Sequence, residues 1–161
     1  MQPAVTESSA LPSRLVSSAA RNRVLFGIIA ALAVAGVIVS TIALQRHYAK
    51  SATRFCDFSQ KFSCDIVNRS EYSSIVGIPV AGIGIAGYAV IFLLATWWRS
   101  RVETPTRLLV TALAGLGFAL YLTYIEAYVL ETWCILCVIS LGVIFLTALC
   151  SLLVKLRSGR A

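Results

Sequence analysis

Trp133-Cys134-Ile135-Leu136-Cys137 leads without a break into the apolar run Val138 to Val154. With its first turn, that run approaches the roughly 20 residues needed to cross a bilayer core. It reads as a membrane span with a C-x-x-C at its rim. On a helix, positions i and i+3 share a face, so the two sulfurs can meet and close a disulfide. This spacing often lowers a thiol's pKa, and the thiolate is the species that attacks. The stretch therefore points to a redox dithiol at a membrane edge.

Outward from it, the chain repeats the apolar theme. Val24–Leu44, Ile75–Trp98 and Leu108–Leu130 are further blocks of spanning length, and Trp133–Val154 is the fourth. The chain is 58% hydrophobic and 13% charged, whereas soluble domains carry about 25% charged residues. The expectation is an all-α membrane protein, a four-transmembrane-helix bundle with spans at about 24–44, 75–98, 108–130 and 133–154. Residues 21–156 form the membrane domain. Residues 1–20, rich in Ser, Ala and Pro, read as a flexible cytoplasmic tail, and 157–161 as a second short tail. Residues 45–74 are the one long polar connection, between helices 1 and 2. A loop of about 30 residues in so compact a domain usually marks function.

The net charge of +7 is explained by topology and not by nucleic acid. Nine cations (Arg14, Arg21, Arg23, Arg99, Arg101, Arg107, Lys155, Arg157, Arg160) fall on one side of a four-span arrangement. Five (Arg46, Lys50, Arg54, Lys61, Arg69) fall on the other, offset by Asp57, Asp65, Glu71 and Glu131. The positive-inside rule puts both termini and the 99–107 loop in the cytoplasm. The 45–74 loop and the turn before Cys134 then lie outside.

Several motifs have plainer readings. The first apolar block, after Arg21 and Arg23, is too long for a signal-peptide core of about 7–15 residues. Gly82-Ile83-Gly84-Ile85-Ala86-Gly87 fits the dinucleotide fingerprint, but it lies inside an apolar block and reads as small-residue helix packing. Pro79 starts or kinks the second helix. Trp97-Trp98-Arg99 is an interfacial anchor. Asn68-Arg69-Ser70 matches a glycosylation sequon that carries meaning only in a eukaryotic secretory host. His47, the only histidine, reads as solvated surface. Tyr121, Tyr124 and Tyr128 share a helical face, either as an interfacial belt or as a wall for a flat ligand. Glu126 sits near the headgroup zone, as a functional group or as a snorkelling one.

Five cysteines occur, and Cys56, Cys64, Cys134 and Cys137 map to the outer side, where disulfides persist. Cys150, near the cytoplasmic end of the last helix, reads as inert packing. A zinc site lacks ordinary ligand spacing, so no metal is expected. A structural disulfide in the loop, and a relay between the two pairs by thiolate attack on disulfide sulfur, remain as competing readings. The relay accounts for a second pair at the membrane surface.

At these residues the chain resembles the vitamin K epoxide reductase family, particularly its bacterial members. Cys56-Asp57-Phe58-Ser59-Gln60-Lys61-Phe62-Ser63-Cys64 is similar to the family's C-D-x(6)-C loop pair, and Ser70 falls at its Ser/Thr position near the quinone. The run Tyr121 to Leu130 and on to Cys137 is similar to its third helix and active-site helix, and Gly77-Ile78-Pro79 to its second-helix entry. The resemblance covers about residues 24–154. It implies a membrane thiol–disulfide oxidoreductase in which Cys56 and Cys64 oxidise a soluble partner and Cys64 exchanges with Cys134. Cys137 then passes electrons to a quinone, ubiquinone or menaquinone. Ser70 would hydrogen-bond a quinone oxygen, and Tyr88, Phe118, Tyr121, Tyr124 and Trp133 are the candidate pocket aromatics.

Vertebrate members carry an asparagine and a tyrosine associated with vitamin K, where this chain has about Val80 and Leu141. Many bacterial members fuse a thioredoxin-like domain, which this sequence lacks, so the expected partner is a separate thioredoxin-fold, DsbA-like protein. A bacterial cytoplasmic (inner) membrane is the expected site, with the cysteine pairs outside. Vitamin K epoxide reduction and a non-catalytic scaffold are the alternatives. A DsbB-like protein would show a C-x-x-C near the end of the first span, which is absent.

Overall fold

The computed structural model describes residues 10–48, 57–59, 62–75 and 77–159, with backbone alone for 10–21, 57–59, 62, 65 and 69. Its first helix, α1 (Ala10–Tyr48), starts inside the stretch expected to be a tail. Extending an existing helix adds one hydrogen bond per residue fixed, and Pro12 lies in the first turn, where its missing N–H costs little. The helix also continues past Leu44 to Tyr48, so His47 belongs to its last turn and not to a loop.

The polar connection is structured where it is described. Short antiparallel strands β1 (Asp57–Ser59) and β2 (Phe62–Ser63) deliver the chain to α2 (Cys64–Arg69). Ser63 caps that helix, its hydroxyl accepting the Ile66 N–H at 3.3 Å. A single 3₁₀ turn (Glu71–Ser73) follows, then the hairpin β3 (Ser74–Ile75) and β4 (Ile78–Pro79). Gly77 takes φ +81° in that hairpin turn, a conformation open to glycine at no steric cost. Pro79 then caps α3 (Val80–Thr96).

Because the hairpin consumes residues 74–79, α3 is shorter than the 75–98 block from which it was expected. Its 17 residues rise about 25 Å. Among the described residues, three helices are long and apolar enough to cross a membrane: the Asn22–Tyr48 part of α1, α4 (Thr104–Tyr128) and α5 (Ile135–Ser158). The shorter apolar helix α3 joins them.

α1 packs on α3 and α5, and α4 packs on α5 and α3, which closes the four helices around a shared interior. Ile29, Ala33, Ile91, Leu108 and Val154 are buried there. Val34, Ile38, Phe92, Leu113, Phe145 and Leu149 remain exposed on the outside, the distribution expected when the surrounding solvent is lipid. Hydroxyls within the helices are satisfied locally, as where Thr147 donates to Val143 O at 2.8 Å and Ser151 to Thr147 O at 2.7 Å.

Small residues set the closest approach of α1 and α3. A methyl added at Gly36 would stand 2.5 Å from Tyr88 Cζ, and one at Gly84 would stand 2.8 Å from Ser40 Oγ. The glycine-rich stretch 82–87 thus lies within α3, with Gly84 at a helix contact. Cys150 is half-buried and packs against the same core.

Candidate redox site

At the end of the bundle that carries α2 lies a second cluster, where Cys64 and Cys134 are fully buried with Ala43, Val67 and Leu136. Cys137 packs against it, half-buried. Two local devices bring these sulfurs together. The Ser63 cap starts α2 at Cys64. On the other side, Glu131 adopts a left-handed conformation, φ +49°, three residues past the end of α4, an uncommon state for a residue with a side chain. It turns the chain so that Thr132 N–H reaches back to Glu126 O at 3.2 Å. Cys134 then caps α5 in an extended conformation.

Cys134 is held from two directions. Its backbone N–H donates to Glu126 Oε2 at 3.1 Å. Its sulfur faces the Asn68 side chain, whose Nδ2 lies 3.7 Å away and also donates to Cys64 O at 2.8 Å. The Cys134 thiol interacts with both Cys137 and Cys64, and sharing its proton with Cys137 is the first cause that holds its pKa well above the usual thiol value, with burial adding to it. The sequence reading of a lowered thiol pKa at this motif does not extend to Cys134, which lies just ahead of the α5 span.

Asn68 is itself positioned by α1. His47 Nδ1 lies 2.6 Å from Asn68 O, and a carbonyl can only accept, so Nδ1 carries the proton. Ser73 Oγ, 3.3 Å from the same nitrogen, donates to Ser70 O at 2.6 Å and so accepts from the ring. His47 is half-buried and part of this network, which corrects its reading as solvated surface.

Below the cysteines lies a cavity of about 390 Å³, walled by α1, α3, α4 and α5 and also lined by α2 and the 3₁₀ turn. Its lining is mostly apolar, with Cys137, Glu126, Ser140, Ser70, His47 and Asn68 among its polar points. A volume in the range of about 300–1,000 Å³, apolar walls and a few convergent polar groups are the marks of a small-molecule site.

Of the aromatic and hydroxyl candidates, Ser70, Tyr88 and Phe118 line the cavity. Ser70 Oγ donates to Val67 O at 2.8 Å, and Tyr88 OH lies 3.0 Å from Ser140 O and 3.1 Å from its Oγ. Tyr121 and Tyr124 are 55% and 58% exposed and are not among the lining residues, nor is Trp133. The Tyr124 and Tyr128 rings lie 4.9 Å apart on the outside of α4. Cys56 lies outside the described residues.

Asn68, His47 and Ser140 were missed as site residues. For Asn68 a signal existed: a Ser63 cap places residues 64 and 68 one helical turn apart on a common face. Glu126 is 2% exposed, so it does not snorkel to water.

The sequence matches the model of the Vitamin K epoxide reductase family over residues 27–152, most of the chain. No curated protein matches it in a sequence search.

Proposed function

The chain belongs to the Vitamin K epoxide reductase family, and on that premise we propose that it oxidises a thioredoxin-fold protein and passes the electrons to a membrane quinone. Family membership supports a membrane thiol–disulfide/quinone oxidoreductase in general. The observation that carries the finer reading is the adjacency of Cys64, Cys134 and Cys137, with Cys137 on the wall of an apolar cavity. That order leads from a loop toward the interior of the helices.

In this reading four helices span the membrane, the termini are cytoplasmic, and the cysteines face the extracytoplasmic side of a bacterial inner membrane. Cys56 and Cys64 exchange with a DsbA-like partner. Cys64 then attacks Cys134 of the Cys134–Cys137 disulfide, Cys56 resolves the Cys64–Cys134 mixed disulfide so formed, and the released Cys134 and Cys137 dithiol is reoxidised from the cavity. Each exchange is thiolate attack on a disulfide sulfur. A quinone, ubiquinone or menaquinone, supplies a two-electron acceptor there. The residues present suit its head group, with apolar walls for the ring and Tyr88, Phe118 and Ser70 around it. Ser70 would have to give up its bond to Val67 O to donate to a ring oxygen. Val80 lines the cavity and brings no amide to it, which favours a quinone over the epoxide.

The test is quinone reduction by the purified protein, driven by a reduced thioredoxin-fold partner, in the wild type and in Cys137→Ser. The expected result is activity in the wild type and none in the variant. A folded wild-type protein inactive with both ubiquinone and menaquinone analogues overturns the reading.

A further inference from the structure

Reoxidising Cys134 and Cys137 breaks two S–H bonds, forms one S–S bond and places two electrons and two protons on a quinone. The two protons must cross a buried, mostly apolar site. Among the described residues only two buried side-chain oxygen or nitrogen atoms have no hydrogen-bond partner, and one is Glu126 Oε1. The other oxygen of that carboxyl is committed to the Cys134 N–H at 3.1 Å. The group is 2% exposed, it lines the cavity, and it lies within electrostatic reach of the Cys137 thiol. The Cys137 thiol is the side chain that interacts with this carboxyl, short of a fully formed hydrogen bond at Oε1, and a buried acceptor left so is costly. The other titratable groups on the cavity wall are His47 on α1, Tyr72 on the 3₁₀ turn, Tyr88 on α3 and Cys137 on α5, and Tyr72 is 49% exposed. Tyr88 OH is bonded to Ser140, and His47 Nδ1 is turned to Asn68.

We propose that Glu126 is the proton carrier of the site: Oε1 takes the proton leaving a thiol at Cys137 and delivers it to a quinone oxygen. The inference deepens the quinone reading and rests on it. The carboxylate is regenerated after each delivery, so one residue serves both thiol protons in turn. The balance is closed, since Cys134 and Cys137 lose two hydrogens and the quinone gains them. Oε2, by holding the Cys134 N–H, keeps the carrier in register with the dithiol during both transfers.

The experiment compares wild type, Glu126→Gln and Glu126→Asp, each pre-reduced and mixed with ubiquinone-1 in a single turnover. Glutamine retains an acceptor for the Cys134 N–H but carries no proton. Aspartate keeps the carboxyl on a shorter arm. The expected result is a loss of about 100-fold or more in Glu126→Gln, part of it recovered in Glu126→Asp. Disulfide exchange between the protein partner and the variant is slowed far less than quinone reduction. Equal slowing of both steps would make Glu126 a structural support for Cys134 and overturn the proposal, as would wild-type quinone reduction in Glu126→Gln.

A second readout needs no quinone. The infrared difference spectrum between dithiol-reduced and oxidised protein should contain a carboxyl band that vanishes in Glu126→Gln, and its absence in the wild type refutes proton exchange with Cys137. If that band is present while the wild type reduces no quinone, the quinone reading fails and proton acceptance from Cys137 stands.

Discussion

Gly36→Ala is the sharpest test of how the cavity is built. The added methyl would lie 2.5 Å from Tyr88 Cζ and closer still to Cδ1 and Cε1. An unstrained carbon contact needs about 3.5 Å, so the ring must retreat by roughly 1 Å. Tyr88 cannot do so freely, because its hydroxyl is fixed on Ser140 by contacts of 3.0 and 3.1 Å. Overpacking costs about 1–3 kcal/mol, and losing the hydroxyl bond costs about 1 kcal/mol more. Alanine returns about 1 kcal/mol of helix propensity over glycine. The net expectation is a loss of about 1–3 kcal/mol, read by denaturation of purified protein in detergent, together with a raised KM for quinone as Tyr88 shifts in the cavity wall.

Tyr88→Ala supplies the control. With the ring absent, Gly36→Ala should cost almost nothing, so the two changes are strongly non-additive. Additive losses, or a Gly36→Ala protein with wild-type stability and KM, would show that α1 and α3 do not meet in this way.

Other outcomes follow from the same geometry. Asn68→Ala leaves the Cys64 carbonyl without its side-chain donor and Cys134 Sγ without its polar neighbour; a loss of about 1–3 kcal/mol is expected, with slower formation of a trapped Cys64–Cys134 mixed disulfide. Tyr121→Ala and Tyr124→Ala, at outward-facing positions, should leave the KM for quinone unchanged in steady-state assays. The raised Cys134 thiol favours the neutral form in the folded state. Its contribution to the stability of the reduced protein is therefore complete below the ordinary thiol value of 9.0 and declines as pH rises above it. The slope is at most about 1.4 kcal/mol per pH unit. Melting curves from pH 7 to about 10.5 should show this decline, and Cys134→Ser should lose that part of it.

The helices were legible because apolar blocks of spanning length have few alternative readings. Their ends were not, and the reasons are local. Helix propagation carried α1 back to Ala10 and on to Tyr48, which no hydropathy boundary marks. Pro79 ended the hairpin and started α3, shortening a block that composition alone ran from Ile75 to Trp98. Of the site, the cysteines stood out by spacing and Glu126 as an ionisable group near the headgroup zone, but the link of Glu126 to Cys134 did not, because it depends on one left-handed residue at Glu131. Helical periodicity placed Tyr121, Tyr124 and Tyr128 on one face correctly, yet periodicity does not say which way a face points. They point outward, as an interfacial belt would.

The bonding around Cys134 also bears on which side of the proposed relay moves. Sulfur exchange requires one thiol to leave its neighbour and approach another. Cys134 is tied through its backbone to Glu126 and faces Asn68 through its sulfur, and it begins a 24-residue helix. Cys64 begins a helix of six residues, too short to be stable by its own hydrogen bonds. What keeps α2 in place includes the contact of His47 Nδ1 with Asn68 O and the reach of Asn68 Nδ2 toward Cys134. Motion during exchange therefore belongs to α2, with His47 and Asn68 as its latch and Cys134 as the fixed post. Loosening the latch, by His47→Ala, should raise hydrogen exchange in residues 64–69 while leaving the first turns of α5 protected. Equal deprotection of both segments would mean that the post moves with the latch.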